Sequence, residues 1–316
     1  MSDPYSGVES ITLSEPLLKT QCILGEGPLY DPRTDTLHFV DIMKNKVYNY
    51  QLESKSLTIH EYDEPVSAFA IRGDGPGLAC AAKRGFALLH PPASESEKGR
   101  LEYLATPLDP YLESKTRFND GACDVRGRFL AGTLSVENGT GGTLWSYGIN
   151  DEGVKLVDDN DISDANGLGW SVDNKTMYFT NSQQGEILKY DYDVETGTAS
   201  GRRVYIKIPK SEGLPDGLCF DDQEGLWSAH WMGSKIVRFS KEGKPTLVVN
   251  IPGAYSVTAC TFGGRDNDKL FITTASTELA SDPKPKPSDY PQSGDFFVLD
   301  LSGKYKGGTW RYEFRG

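Results

Sequence analysis

Glu26, Asp120, Asn166 and Asp216 lie far apart in the chain, yet each immediately precedes a glycine. Two weaker positions are Ser67 and Thr258, each before an alanine. Side-chain oxygens brought together without sulfur or imidazole suit a hard divalent cation. The same residue types before glycine are also ordinary turn formers, so the spacing alone leaves both readings open. The chain has no GxSxG, no HExxH and no P-loop, which removes the common serine-hydrolase, zinc-protease and nucleotide chemistries. His38, His60, His90 and His230 are isolated from one another and read as packed or surface residues.

The elements that carry these residues are short and β-rich. From Asp164 to Lys207, the runs Asp164–Trp170, Thr176–Thr180, Glu186–Asp191 and Arg202–Lys207 are punctuated by Gly, Asn and Asp. That is the signature of successive strands joined by tight turns. Four antiparallel strands in one unit make a propeller blade if the unit repeats. It restarts at Glu26, Ser67, Asp120, Asp216 and Thr258. Taking the small residue of each restart (27, 68, 121, 167, 217 and 259), the steps are 41, 53, 46, 50 and 42 residues. The sequence therefore predicts an all-β, six-bladed β-propeller of four-stranded antiparallel blades around a central channel, one domain spanning residues 1–316. In such a ring the equivalent point of every blade lies at one radius and height, so the side chains at the restarts converge on one end of the channel.

Composition agrees with this architecture. Among 316 residues there are 34 glycines and 18 prolines, as many turns require. No apolar run approaches the ~20 residues of a membrane span, and the N-terminus has neither a basic region nor an apolar core. The expected setting is cytoplasmic, and the expected state a monomer with no membrane partner. A formal net charge of −12 argues against nucleic acid and suits a cation site or a neutral substrate. Five widely spaced cysteines without a CxxC pair read as small buried thiols.

Several segments carry narrower expectations. Asp158–Asp164 is acidic but has no glycine at the sixth position of a calcium loop counted from Asp159 and no glutamate at the twelfth, so it reads as an acidic surface loop. Residues 282–292, with proline at 283, 285, 287 and 291, form a stiff exposed loop. Asp295–Leu301 and Thr309–Phe314 read as strands that share a blade with the N-terminal segment and so close the ring.

The sequence also resembles the SMP-30/gluconolactonase/luciferin-regenerating family of regucalcin-like sugar lactonases. The likeness rests on Gly25–Pro28, Phe39–Ile42, Arg117–Gly121, Ala131–Thr133, Asn166–Leu168, Tyr178–Ser182 and Pro215–Leu218, which occur in family order across nearly the whole chain. It implies one catalytic divalent cation, Ca²⁺ favoured, with Zn²⁺, Mg²⁺, Mn²⁺ and Fe²⁺ also compatible. Glu26, Asn166 and Asp216 would bind it. Arg117, Asn119 and Glu137 would contact substrate, although the sequence around Glu137 diverges from the family. The implied reaction is hydrolysis of a sugar (aldono) lactone to the aldonic acid, with Asp216 or water activated by the cation supplying the nucleophile. The alternatives are a calcium-binding regulatory protein of regucalcin type and a protein-binding propeller without catalysis.

Overall fold

The computed structural model describes residues 4–94, 96–136, 140–148 and 153–316. Six sheets are arranged in a ring, each beginning at the channel and running outward. Blade one comprises Gly25–Asp31, Thr36–Asp41, Lys46–Gln51 and Ser56–Glu61. Blade two is Val66–Ile71, Leu78–Ala82, Gly85–His90 and Arg100–Ala105. Blade three contains Thr116–Cys123, Phe129–Ser135, Gly142–Gly148 and Gly153–Ile162, and blade four Ala165–Trp170, Thr176–Asn181, Glu186–Asp193 and Thr198–Lys207. Blade five has Leu214–Phe220, Leu226–Trp231, Lys235–Phe239 and Pro245–Asn250, and blade six Ser256–Gly263, Lys269–Ala275 and Phe297–Asp300. The first strand of each blade contacts the first strands of both neighbours, and blade six meets blade one. This is a six-bladed β-propeller.

Every innermost strand carries a bulge at the same height. The cross-strand register slips between Glu26 and Leu29, Val66 and Ala68, Phe118 and Gly121, Ala165 and Leu168, Pro215 and Leu218, and Val257 and Ala259. A bulge inserts one residue without a partner and re-aims its side chain. The pre-glycine residues therefore lie within strands, in or directly beside these bulges, and are not turn formers. Their glycines are required by close approach. A Cβ on Gly167 would lie 2.4 Å from the Leu218 nitrogen, and one on Gly217 would lie 2.5 Å from the Ala259 Cβ. Asn-Gly and Asp-Gly here let adjacent blades meet at the axis.

The ends of the chain differ from the expected closure. Glu9–Thr12 adds an outermost strand to blade five, pairing in parallel with Pro245–Asn250 in a register that sets Ile11 opposite Val249. Blade six has three strands, and a single bridge from Leu18 to Phe296 stands where a fourth would begin. Thr309–Phe314 is not a blade strand. Its backbone bonds in turn to blades four, three and two, so no one strand offers it a ladder. Asp158 belongs to the outer strand Gly153–Ile162 rather than to a surface loop, and its buried carboxylate accepts from Tyr190 Oη at 2.7 Å. Residues 282–292 run over the outside, with the Tyr290 ring 4.9 Å from Tyr255. All five cysteines are buried and free. No helix among the described residues is long and apolar enough to cross a membrane.

One buried network fixes the far end of blade five. Asp221 is fully buried and accepts from Trp227 Nε1 at 2.8 Å, Arg238 Nε at 2.6 Å and the Gly225 amide at 2.8 Å. Removing one partner of such a pair strands the other charge. Asp221→Ala is expected to cost about 3–5 kcal/mol of stability, read as a lower urea midpoint. An unchanged midpoint would show that Arg238 does not depend on this carboxylate.

Candidate active site

The six bulges deliver different side chains to the channel. Those of blades three, four and five are Asn119, Asn166 and Asp216, while Glu26, paired with Val40, stands at the edge of the blade-one bulge, and all four line one cavity of about 550 Å³. Each is more than nine-tenths buried. Ser67 and Thr258, the bulge residues of blades two and six, turn their hydroxyls to the carbonyls of Ala81 and Gly25. Blade three corrects the reading based on glycines. Phe118 pairs with Thr133 and Gly121 with Ala131, which makes Asn119 the counterpart of Asn166 and Asp216. Asp120 falls where blades four and five have Gly167 and Gly217, and it lines a smaller cavity deeper in the channel.

A chain of hydrogen bonds ties three blades together across the floor. Arg117 Nη1 donates to Asn119 Oδ1 at 2.6 Å, and Asn119 Nδ2 donates to Asn166 Oδ1 at 2.7 Å and to the Ala165 carbonyl at 2.9 Å. Asn166 Nδ2 donates to Ser182 Oγ at 2.7 Å, and the Ser182 hydroxyl donates to the Pro215 carbonyl at 2.7 Å, one residue before Asp216. These bonds orient the Asn166 amide and couple the bulges of blades four and five. Ala165 itself faces Gly132 rather than the cavity. Asp164, held by Gln183 Nε2 at 2.8 Å, also lines the cavity. Met43, Leu134, Val136, Leu214, Trp231 and Leu279 add apolar surface to the polar floor.

The charges are poorly compensated. Burial raises the Glu26 carboxyl above its ordinary range, and the Asp120 charge raises it further. Asp216 is raised by burial first and then by Glu26, Asp120 and Asp164. Burial also raises Asp164. Burial pulls Arg117 down to about 10 against the attraction of Glu26, Asp164 and Asp216, so it stays cationic at neutral pH. His230 plays no part at the floor: its Nδ1 lies 2.8 Å from the Glu212 carbonyl oxygen, and burial lowers it to about 4.

These donors fit a hard cation in kind. Glu26 and Asp216 supply carboxylate oxygens and Asn166 an amide oxygen, all buried, in a cavity with excess negative charge. No group of three or more His, Cys, Asp and Glu side chains gathered as an ion site occurs among the described residues; this set has two carboxylates and depends on an amide for its third donor. Glu137 lies outside the described residues. Ser182 and Asp164 are also floor residues, which local sequence does not announce, although Ser182 ends the family-like run Tyr178–Ser182.

Residues 24–276 match the model described as SMP-30/Gluconolactonase/LRE-like region. The chain belongs to this family. Its relatives include regucalcin of Xenopus laevis, 33% identical over 297 residues, spanning 89% of this chain and 94% of that protein. Another is the Bacillus subtilis protein named "Putative sugar lactone lactonase YvrE", 32% identical across 91% of this chain and 94% of its own length. Among solved structures, the calcium-binding protein regucalcin of Agrobacterium tumefaciens superposes with a TM-score of 0.84 at 26% identity, covering 98% of this chain and 99% of that one.

Proposed function

We propose that this protein is a cation-dependent lactonase that hydrolyses a sugar lactone to the corresponding aldonic acid. The observation that carries the reading is the set of bulges directing Glu26, Asn119, Asn166 and Asp216, with Arg117 beside them, to the floor of one cavity. Membership of a family with a relative named for sugar lactone hydrolysis supports it. Glu26, Asn166 and Asp216 would hold the cation. When bound, a divalent cation polarises a carbonyl, stabilises the oxyanion formed from it and acidifies water. Asp216 takes a proton from the attacking water, and Arg117 donates N–H groups to the hydroxyls or ring oxygen of the lactone. The Arg117–Asn119–Asn166 hydrogen bonds hold these groups in fixed relation before substrate arrives, the condition under which positioning lowers a barrier.

The test is a pH-indicator assay on a panel of aldonolactones with calcium, other divalent ions or chelator. Cation-dependent acid release supports the proposal, and release equally fast in chelator overturns it. The names regucalcin and calcium-binding protein carried by relatives favour a second reading, a calcium-binding regulator. In that case calcium binds while every lactone in the panel is untouched. Arg117→Ala is expected to raise KM about tenfold or more and to change cation affinity less, since the loss of a charged hydrogen-bond donor costs roughly 1.5–3 kcal/mol. Calorimetric cation titration beside steady-state kinetics checks this, and the reverse pattern would assign Arg117 to the cation rather than to substrate.

A further inference from the structure

The far end of the channel is closed by the C-terminal tail. It crosses the ends of the innermost strands: the Gly308 amide donates to the Phe220 carbonyl, Trp170 to Trp310, Tyr312 to Cys123 and Phe314 to Ile71. Blades five, four, three and two are thus bound in turn. Between Trp310 and Tyr312, Arg311 turns into the ring. Its Nη2 donates to the Pro28 carbonyl at 3.0 Å and to Thr261 Oγ1 at 2.7 Å, reaching blades one and six, and its guanidinium lies 4.6 Å from the centre of the Trp310 ring. Arg311 and Asp120 line the deeper cavity together with Gly27 and Gly217, the residues that follow Glu26 and Asp216. Burial raises the Asp120 carboxyl, while the Gly121 amide and the Arg311 charge offset part of that rise.

Among the described residues lining the two cavities, Glu26, Asp120, Asp164 and Asp216 are acidic and Arg117 and Arg311 basic, leaving a charge of −2. Without Arg311 it would be −3. We propose that Arg311, inserted from the tail, sets this charge and so matches the site beneath Glu26 and Asp216 to a divalent ion over a trivalent one. The inference rests on the cation reading of the proposed function. It makes Arg311 a positioning residue acting through the field, and not a ligand.

The test uses the full-length protein and two probe ions, Ca²⁺ and Tb³⁺, each titrated by calorimetry. Arg311→Met should raise the ratio of Tb³⁺ to Ca²⁺ affinity on the order of tenfold, because one extra unit of negative charge acts more strongly on the higher ionic charge. Arg311→Lys, which keeps the charge, should keep the ratio within about threefold of the parent. Asp120→Asn should lower it, and Asp120→Asn combined with Arg311→Met, which restores −2, should return it to the parent value. A purely structural role for the tail would weaken both ions alike. A ratio unmoved in Arg311→Met, or not restored in the double variant, overturns the inference and leaves the lactonase reading standing. If Arg311→Met fails to fold, the Asp120→Asn shift decides. A parent protein that binds neither ion removes the cation site and this inference with it.

Discussion

Asp216→Ala is expected to reduce lactone turnover about a thousandfold, within the range for loss of a general base, while making the cation-free protein more stable. The two effects share one cause. Asp216 is buried among Glu26, Asp120 and Asp164, and its carboxyl is raised well above the ordinary range by burial and by those three charges. A group held in that state costs folding energy unless a cation neutralises it. Its removal relieves repulsion at the cost of the Gly217 amide contact and part of the attraction on Arg117, while the Ser182 hydrogen bond survives because it goes to the backbone of Pro215 rather than to the Asp216 side chain. Asp216→Asn separates shape from charge, keeping the volume and losing the base. The measurements are kcat/KM on the responsive lactone and the melting midpoint in chelator. Retention of more than about a tenth of parental kcat/KM would remove Asp216 from the chemistry. Recovery of the Asp216→Ala rate in excess cation would leave it only the role of ligand.

The architecture could be read from sequence where punctuation was strong. In blade four the glycines and Asn/Asp turns mark all four strands, and the only large boundary error is Thr198–Lys207, whose exposed first turn of residues hides its β character. Positions within the channel were less legible, because they depend on cross-strand pairing that no single strand announces. Aligning blades by glycine set Asp120 beside Asn166 and Asp216; the pairing of Phe118 with Thr133 sets Asn119 there instead. Thr309–Phe314 has the composition of a strand, yet its bonding partners come from several blades. Gly153–Ile162 was hidden for the opposite reason. It is an outer strand with one side to solvent, where acidic residues are tolerated and mimic a loop. Ser182 matters through the Asn166 amide it orients and the Pro215 carbonyl it reaches, relations between blade elements that local sequence does not contain.

Removing the cation should make the protein lose stability as pH rises, the reverse of ordinary acid denaturation. Glu26 and Asp164 are raised by burial above the values they have in an unfolded chain, as is Asp216. Between the unfolded and the raised folded value, the native state holds more protons than the unfolded one. Stability then falls with increasing pH, since its slope follows the protons bound in the unfolded state minus those in the native state. In chelator, the melting midpoint should therefore be higher near pH 5.5 than near pH 8. Saturating Ca²⁺ should reverse the order. An ion bound only by the native state stabilises it by an amount that grows with its concentration over Kd, and affinity improves as the carboxyls lose their protons. The gap between calcium-loaded and chelated midpoints should accordingly widen from pH 5.5 to pH 8. A gap that is constant across this range would mean that Glu26 and Asp216 do not surrender protons to a cation. The carboxylates would then be compensated by some other means, and the oxygen floor of the channel would have to be explained without an ion.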